Sequence, residues 1–563
     1  MTRFELPARR KVDHLTLHRQ QRKISIREYH ALSPAERLEM IRQARGKEKY
    51  DLILNAPDAE QLVPALHPQD LYLTVQEVGP EYAVELLMLT TSDQLTTLLD
   101  LDCWEGDNLS EKSVLQWLEL LLESGEEKVC RSFREMEPEL LTMFLKKQMR
   151  ITRGPESWKD EDADNPIRLE NLYEIEYRNE DASKIVGALL TILFGQEQSR
   201  YLLLMEMVRA ELDTSLEEET YQSRGHRLLD LGFTTPQEAR AIYAYVDPEQ
   251  FTPSSGKHFD LEGEGLQHPG ALLSRAQPSD LLAEILAGGL NHELATELCF
   301  LANRKMSAER IDVSDPQAVE QSLQHLYRTL NLGLEHLAAR DAADAGRIFN
   351  DCYLQQIFQL GHSLTEQRKR RAREILQSSP AAFLDGPYRR FVETLNGTPP
   401  RLFSGIRLGL GQDEKAFQTR DDLLLADQYL QQIAVQRQLF DGILPFALPT
   451  EESCDLSNCQ PEELADLTLS DLFLTALANR LLGREFSPRP IPVTELGALH
   501  ALICADRKLP ATLRTETCAA LEALLSGAGQ FADFCLDIWQ EEFCALKIEQ
   551  VDPRYLSGLI MRL

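Results

Sequence analysis

Residues 57–102 read PDAEQLVPALHPQDLYLTVQEVGPEYAVELLMLTTSDQLTTLLDLD. Helix starts at Pro57, Pro68, Pro80 and Ser92 recur at intervals of 11 or 12 residues, each followed by apolar side chains at helical spacing. The stripes are Leu62, Val63 and Leu66, then Leu71, Val75 and Val78, then Ala83, Val84 and Leu87, and finally Leu95, Leu98 and Leu99. A helix of about two turns cannot bury such a stripe alone, so successive ones have to stack. The period predicts consecutive short antiparallel helices over 56–150, with no sheet, forming a superhelical solenoid. The pattern continues in longer helices from Asn108 to Leu122 and from Pro138 to Met149.

Start signals extend the same reading outward. Ser33-Pro34-Ala35-Glu36 and Thr235-Pro236-Gln237-Glu238 each place a capping hydroxyl first, Pro where its missing N–H costs nothing, and Glu where it can reach back to the cap. Asp315-Pro316 and Asp552-Pro553 repeat the first half of that device. Strand signals are scarce: Tyr173, Ile175 and Tyr177 alternate with polar residues and predict one short strand. The fold class is therefore all-α in the main, a stack of short helices followed by further helical bundle units.

Two resemblances follow from particular stretches. PDAEQLVPALHPQDLYLTVQEVGPEYAVELL resembles the cytosolic amino-terminal helical domain of bacterial magnesium transporters over residues 52–150, which implies a superhelix of short helices. LLDLDCWEGDNLSEKSVLQWLELLLESGEEKV, MVRAELDTSLEEETYQSRGHRLLDLGF, LANRKM and LNLGLEHLAARDAADAGRIF are together similar to an uncharacterised bacterial family labelled a domain of unknown function, over most of residues 50–480. That second resemblance implies no activity.

At 563 residues the chain exceeds the size at which a single core stops growing, so three or four packed units are expected. Composition breaks divide it into a basic arm and first helix at 1–50, a helical-repeat domain at 51–152, a central helical unit with a short strand at 167–247, a helical domain at 271–445 and a carboxy-terminal one at 461–563. The breaks themselves, 153–166, 247–270 and 445–462, are rich in Gly, Pro, Ser or acidic residues. The net charge of −31 repels phosphate backbones and anionic lipid, and no nucleic-acid partner is expected. Residues 1–50 carry +7 against −38 for the rest, a basic arm that either lies on the acidic body or meets an anionic partner. Ten cysteines, mostly single and within apolar helical stretches, read as reduced core residues of a cytoplasmic protein. Cys454 and Cys459, without a second pair or nearby His, do not make a zinc site. The longest uncharged apolar run, Ile185 to Phe194, is about half the ~20 residues of a membrane helix, so no membrane insertion is expected.

No phosphate-binding glycine loop, nucleophile elbow or metalloprotease helix appears, and neither cofactor nor metal is implied. Polar groups at apolar positions give the candidates. The helix around Tyr201–Leu212 is apolar on nearly every side, yet carries Glu206 and Arg209 one turn apart. In the next helix Glu217, Tyr221, Arg224, Leu228 and Leu231 share one stripe. Charges placed inward need partners, so Glu206, Arg209, Glu217 and Arg224 are expected to converge between two helices. The cluster is read as an internal ion-pair network or, with Tyr221 and Arg227, as a pocket for a polar or anionic small ligand. A second group, His292, Glu293, Glu297, Asn303 and Arg304 with Asn331, Glu335, His336 and His362 downstream, reads as core polar residues rather than a metal site. Arg368, Lys369, Arg370, Arg371 and Arg373 read as a solvated helix face pairing with the acidic body. The function this supports is that of a helical-repeat scaffold binding another protein; the alternative is an enzyme or small-ligand-binding regulator built on the Glu/Arg cluster.

Overall fold

The computed structural model describes residues 3–6, 22–44, 46–79, 82, 84–153, 172–252, 257, 266–267, 280–339, 341–406, 414–450 and 456–563. Helices dominate, and the strands among the described residues are short, so the protein is mainly α. The chain folds as two compact units, one of residues 1–244 and 252–359, the other of 245–251 and 360–563. The amino-terminal arm beyond its short ladder Arg3–Leu6 with Arg22–Ser25, most of the two breaks at 153–166 and 247–270, the expected helix start at Pro80 and Cys454 lie outside the described residues. No helix among the described residues is long and apolar enough to cross a membrane.

In the first unit residues 57–148 form helices Ala59–Leu62, Pro68–Val78, Val84–Leu89, Ser92–Asp102, Glu111–Glu123, Glu126–Glu135 and Pro138–Gln148. The starts at Pro68 and Ser92 fall where the period puts them. The expectation of no sheet over 56–150 fails at two points: Met149 and Arg150 open a strand that runs to Arg153, and Trp104–Glu105 and Asn108–Leu109 form a two-residue antiparallel ladder. Gly106 turns it at φ +65, a conformation that glycine adopts without a Cβ clash. Beyond the repeat, Tyr173–Tyr177 forms the expected strand and pairs antiparallel with Met149–Arg153.

What holds the short helices together is apolar burial stitched by a few polar side chains. Leu71, Val75, Leu98, Val114, Phe133 and Leu140 are among the buried members of one continuous core that runs from Tyr29 to Leu216. Each such side chain stabilises the fold by roughly 1.5–3 kcal/mol relative to exposure. On helix Ser92–Asp102, Gln94 Nε2 donates to the carbonyls of Val63 and Leu66 at 2.9 Å each. At its other end Asp102 accepts from Tyr72 Oη at 2.9 Å, Gln76 Nε2 at 2.7 Å and Trp117 Nε1 at 2.6 Å. One carboxylate thus ties three helices, Pro68–Val78, Ser92–Asp102 and Glu111–Glu123. A second core in this unit gathers helices His292–Glu309, Pro316–Ala338 and Ala342–Asp351 around Leu298, Leu326, Leu330 and Phe349.

Local cap chemistry explains where helices begin. Ser33 and Glu36 form the reciprocal capping box, Thr235 Oγ1 accepts from the Glu238 amide, and Asp315 accepts from the Gln317 and Ala318 amides. In the second unit Thr419 with Asp422 and Thr468 with Asp471 use the same box with Asp as the third residue. That unit packs helices Gly386–Asn396, Arg420–Gln438, Leu469–Leu481, Ala511–Leu524 and Ala528–Ile538 around aromatic pairs such as Phe391 and Tyr429, whose rings meet edge-on at 5.3 Å.

Two sequence expectations about this unit are overturned. Arg368 and Lys369 do not lie on a solvated face: both are buried, Arg368 paired with Asp427 and Lys369 donating to Thr398 Oγ1 at 2.6 Å. Arg370 instead lies over the Tyr245 ring at 3.9 Å, and Arg371 shares Asp427. Nor do all ten cysteines stay thiols, because Cys504 and Cys544, with Cα atoms 5.2 Å apart, form a disulfide. Spacing of 40 residues hides such a pair from any local reading.

Candidate functional site

The expected convergence of Glu206, Arg209, Glu217 and Arg224 does not occur; the structure distributes them among three separate contacts. Helix Gln198–Ala210 buries one face only, that of Tyr201, Leu204, Met205 and Val208, while Leu203 is 45% exposed. Glu206 lies off that face. It accepts from Tyr173 Oη at 2.8 Å and from Arg209 Nη2 at 2.6 Å, a partly exposed pair within its own helix.

Helix Asp213–Asp230 is rotated relative to the expected stripe. Leu216 and Thr220 are its buried residues, and Glu217 and Tyr221 are exposed. Glu217 pairs with Lys147 at 2.8 Å. Arg224 donates through Nε to the Asp100 carbonyl at 2.9 Å and lies 5.1 Å from the centre of the Trp104 ring, beside Tyr221. Arg227 holds the Asp100 carboxylate with two nitrogens and reaches Glu137 with the third. Burial pushes the Asp100 carboxyl up, and the Arg227 guanidinium pulls it back. Arg224 and Arg227 both hold Asp100 and so tie helix Asp213–Asp230 to helix Ser92–Asp102.

The second sequence group also disperses. Glu297 pairs with Lys257 at 2.8 Å and accepts from the Leu354 amide at 2.7 Å; Arg304 donates to Gln355; Asn331 donates to Glu335 within one helix. His292 and Asn303 alone of this group line a cavity of ≈ 820 Å³ in the first unit. Among the described residues no group of three or more His, Cys, Asp or Glu is arranged to hold a metal ion.

That cavity is the feature sequence reasoning missed. One wall comes from residues 42–77, chiefly helix Pro68–Val78 and the His67 that caps it, and the other from helices His292–Glu309 and Pro316–Ala338. The second wall carries Leu298, Phe300, Met306, Val319 and Leu323 beside His292, Thr296, Asn303, Gln317 and Glu320. Gly232, at φ +89, lets the chain pass directly behind it: a Cβ there would stand 2.6 Å from the Phe300 Cα. Across the cavity Gln69 and Asn303 exchange amide hydrogen bonds at 2.7 and 2.9 Å, and Asn303 Nδ2 also donates to the Leu231 carbonyl at 2.6 Å.

The polar groups on the first wall are mostly committed. Lys49 pairs with Asp70 at 3.5 Å, Thr74 Oγ1 donates to the Asp70 carbonyl at 2.7 Å, and on the facing helix Thr296 Oγ1 donates to the His292 carbonyl at 2.9 Å. His67 differs. Its Nδ1 accepts the Gln69 amide at 3.3 Å, which leaves the proton of the neutral ring on Nε2, and that N–H has no partner among the described residues. Water reaches both His67 and Cys299, yet protein surrounds them: burial pushes the His67 imidazole down and the Cys299 thiol up to about 12. Both shifts favour the uncharged form.

A family model described as a family of unknown function (DUF6178) matches residues 26–562. No curated protein and no solved structure matches the chain.

Proposed function

The chain belongs to this family of unknown function, and as its activity we propose non-covalent binding of a small organic molecule in the cavity between helices Pro68–Val78 and His292–Glu309. The carrying observation is the cavity itself: ≈ 820 Å³, with Leu298, Phe300, Met306, Val319 and Leu323 exposing apolar side chains among polar ones, is the size of sites that enclose drug-sized ligands. The alternative of a Glu/Arg ligand pocket thereby moves from Arg224 and Arg227, which are taken up by Asp100, to His67 and the apolar wall.

A second reading, docking of another protein on a superhelical stack in the cytoplasm, draws support from Leu212, Leu229 and Leu203, which are 72%, 52% and 45% exposed. The likeness of residues 52–150 to the transporter domain contributes an architecture to that reading and no transport role.

Titration of the full chain with Nile red, a neutral fluorescent dye, tests the cavity. Saturable binding is expected in the wild type, and Ala295→Trp, which fills the space from the buried side of helix His292–Glu309, should abolish it. Equal binding by the two would sink the proposal.

A further inference from the structure

The cavity's inventory of hydrogen bonds narrows what it can hold. Gln69 and Asn303 spend their amides on each other and on Leu231, the Thr74 and Thr296 hydroxyls donate to backbone carbonyls, and Lys49 faces Asp70. His67 Nε2–H is an uncommitted donor in this lining. Opposite it stand Leu298, Phe300, Met306, Val319 and Leu323, with Phe300 40% exposed and able to cover a flat or extended apolar body.

Charge points the same way. The described lining holds Arg42 and Lys49 against Asp70, Glu77 and Glu320, which gives an anionic ligand no net attraction. A cation aimed at Asp70 would compete with Lys49. A neutral molecule meets neither cost.

We propose that the occupant is an uncharged amphipathic molecule that offers one acceptor oxygen, of the carbonyl or ether kind, to His67 Nε2–H and lays its apolar body on the wall formed by Leu298, Phe300, Met306, Val319 and Leu323. This rests on the reading of the cavity as a binding site. It adds the class of ligand and the residue that orients it. His67 is a positioning and binding group here, since no bond is made or broken.

The test uses the full chain and two dyes, neutral Nile red, which carries a carbonyl, and anionic anilinonaphthalene sulfonate. Nile red should bind tighter than the anionic dye. His67→Phe should weaken Nile red roughly tenfold, the share of one hydrogen bond. His67→Asn, which keeps an oxygen to cap the Gln69 amide but is too short to restore the donor, should weaken it to the same extent. Ala295→Trp and, on a different helix, Val319→Trp serve as the blocked-cavity controls, with far-ultraviolet circular dichroism to identify a variant that has folded. If both His67 variants bind like the wild type while a folded blocked variant does not bind, the cavity stands and the role of His67 is overturned. If the anionic dye binds tighter, and the blocked variants lose it, the uncharged class is overturned. Wild-type binding by the folded blocked variants would overturn the cavity and this inference with it.

Discussion

Arg227 grips Asp100 through both carboxylate oxygens, Nε to Oδ2 at 2.6 Å and Nη2 to Oδ1 at 2.9 Å, while its remaining nitrogen reaches Glu137 at 2.8 Å. Asp100 is fully buried on helix Ser92–Asp102, so the pair joins that helix to helix Asp213–Asp230. Arg227→Ala strands that carboxylate and should destabilise the first unit by about 3–5 kcal/mol. Arg224→Ala removes a hydrogen bond to a carbonyl and a contact with the Trp104 ring, and should cost about 1–2 kcal/mol. Urea unfolding of the two variants decides the order; a larger loss for Arg224→Ala would contradict this assignment of partners.

Arg209→Ala offers the contrast. Its guanidinium meets Glu206 at the surface of one helix, and Glu206 keeps Tyr173 as a donor when Arg209 is gone. The thermal melt is expected to coincide with that of the wild type. A clear drop in melting temperature would mean that this pair carries stability its exposure does not suggest.

The difference between these two pairs shows what a sequence can and cannot disclose. Cap signals at Ser33, Thr235 and Asp315 are complete within four residues, and the alternation over Tyr173–Tyr177 is complete within five, so both could be read locally. The partner of Arg227 lies 127 residues away, and nothing around Arg227 encodes it. The only trace was on the other side, where Asp100 and Asp102 interrupt the apolar run of Leu98, Leu99 and Leu101. Helix Gln198–Ala210 was misread because counting apolar residues does not fix rotational phase: Leu203 faces out and Val208 faces in. The cavity was illegible for a stronger reason. It is a space left where residues 42–77 meet residues 292–323, and His67 becomes distinctive only once the neighbours it lacks are known.

The disulfide makes a prediction about thiols. In denatured, unreduced protein, two of the ten cysteines should resist a thiol reagent until reductant is added, and peptide mapping should join Cys504 to Cys544. Ten reactive thiols before reduction would show that the pair is open in the protein as isolated.

Asp385 gives the second unit a pH dependence of unusual sign. It is 4% exposed; Ser470 Oγ donates to one of its oxygens, and Oδ2 has no partner among the described residues. Burial, reinforced by the neighbouring Asp471 carboxylate, pushes its carboxyl from 3.8 to about 7. The folded state therefore holds a proton that the unfolded chain releases, and this group's contribution is full below 3.8 and is lost as pH rises to about 7. The loss is on the order of 4 kcal/mol at most. Asp385→Asn, which cannot ionise, should flatten that slope and be the more stable protein near neutral pH. Parallel pH–stability curves for the variant and the wild type would rule out Asp385 as the source.

Glu309 in the first unit should behave in the opposite way. Its Oε1 accepts Tyr243 Oη at 2.6 Å and faces His325 Nδ1 at 3.6 Å; its Oε2 accepts Lys305 Nζ at 2.6 Å and Ser322 Oγ at 2.8 Å. Burial alone would raise its carboxyl, but His325, Lys305 and Tyr243 outweigh it and hold the group well below its ordinary 4.5. The resulting stability is complete above 4.5 and is lost as acid carries pH below that value. Lys305, 1% exposed, sits at the centre of this arrangement and also donates to Ser322 at 3.0 Å. Glu309→Gln removes the charge that keeps Lys305 ionised in the interior, and should destabilise the unit by about 3–5 kcal/mol. Adding Lys305→Met removes the stranded ammonium and fills its space with a chain of similar length, so the double variant should recover a large part of the loss. If urea unfolding finds the double variant no more stable than Glu309→Gln, the cost lies in the hydrogen bonds from Tyr243 and Ser322 rather than in the unpaired charge.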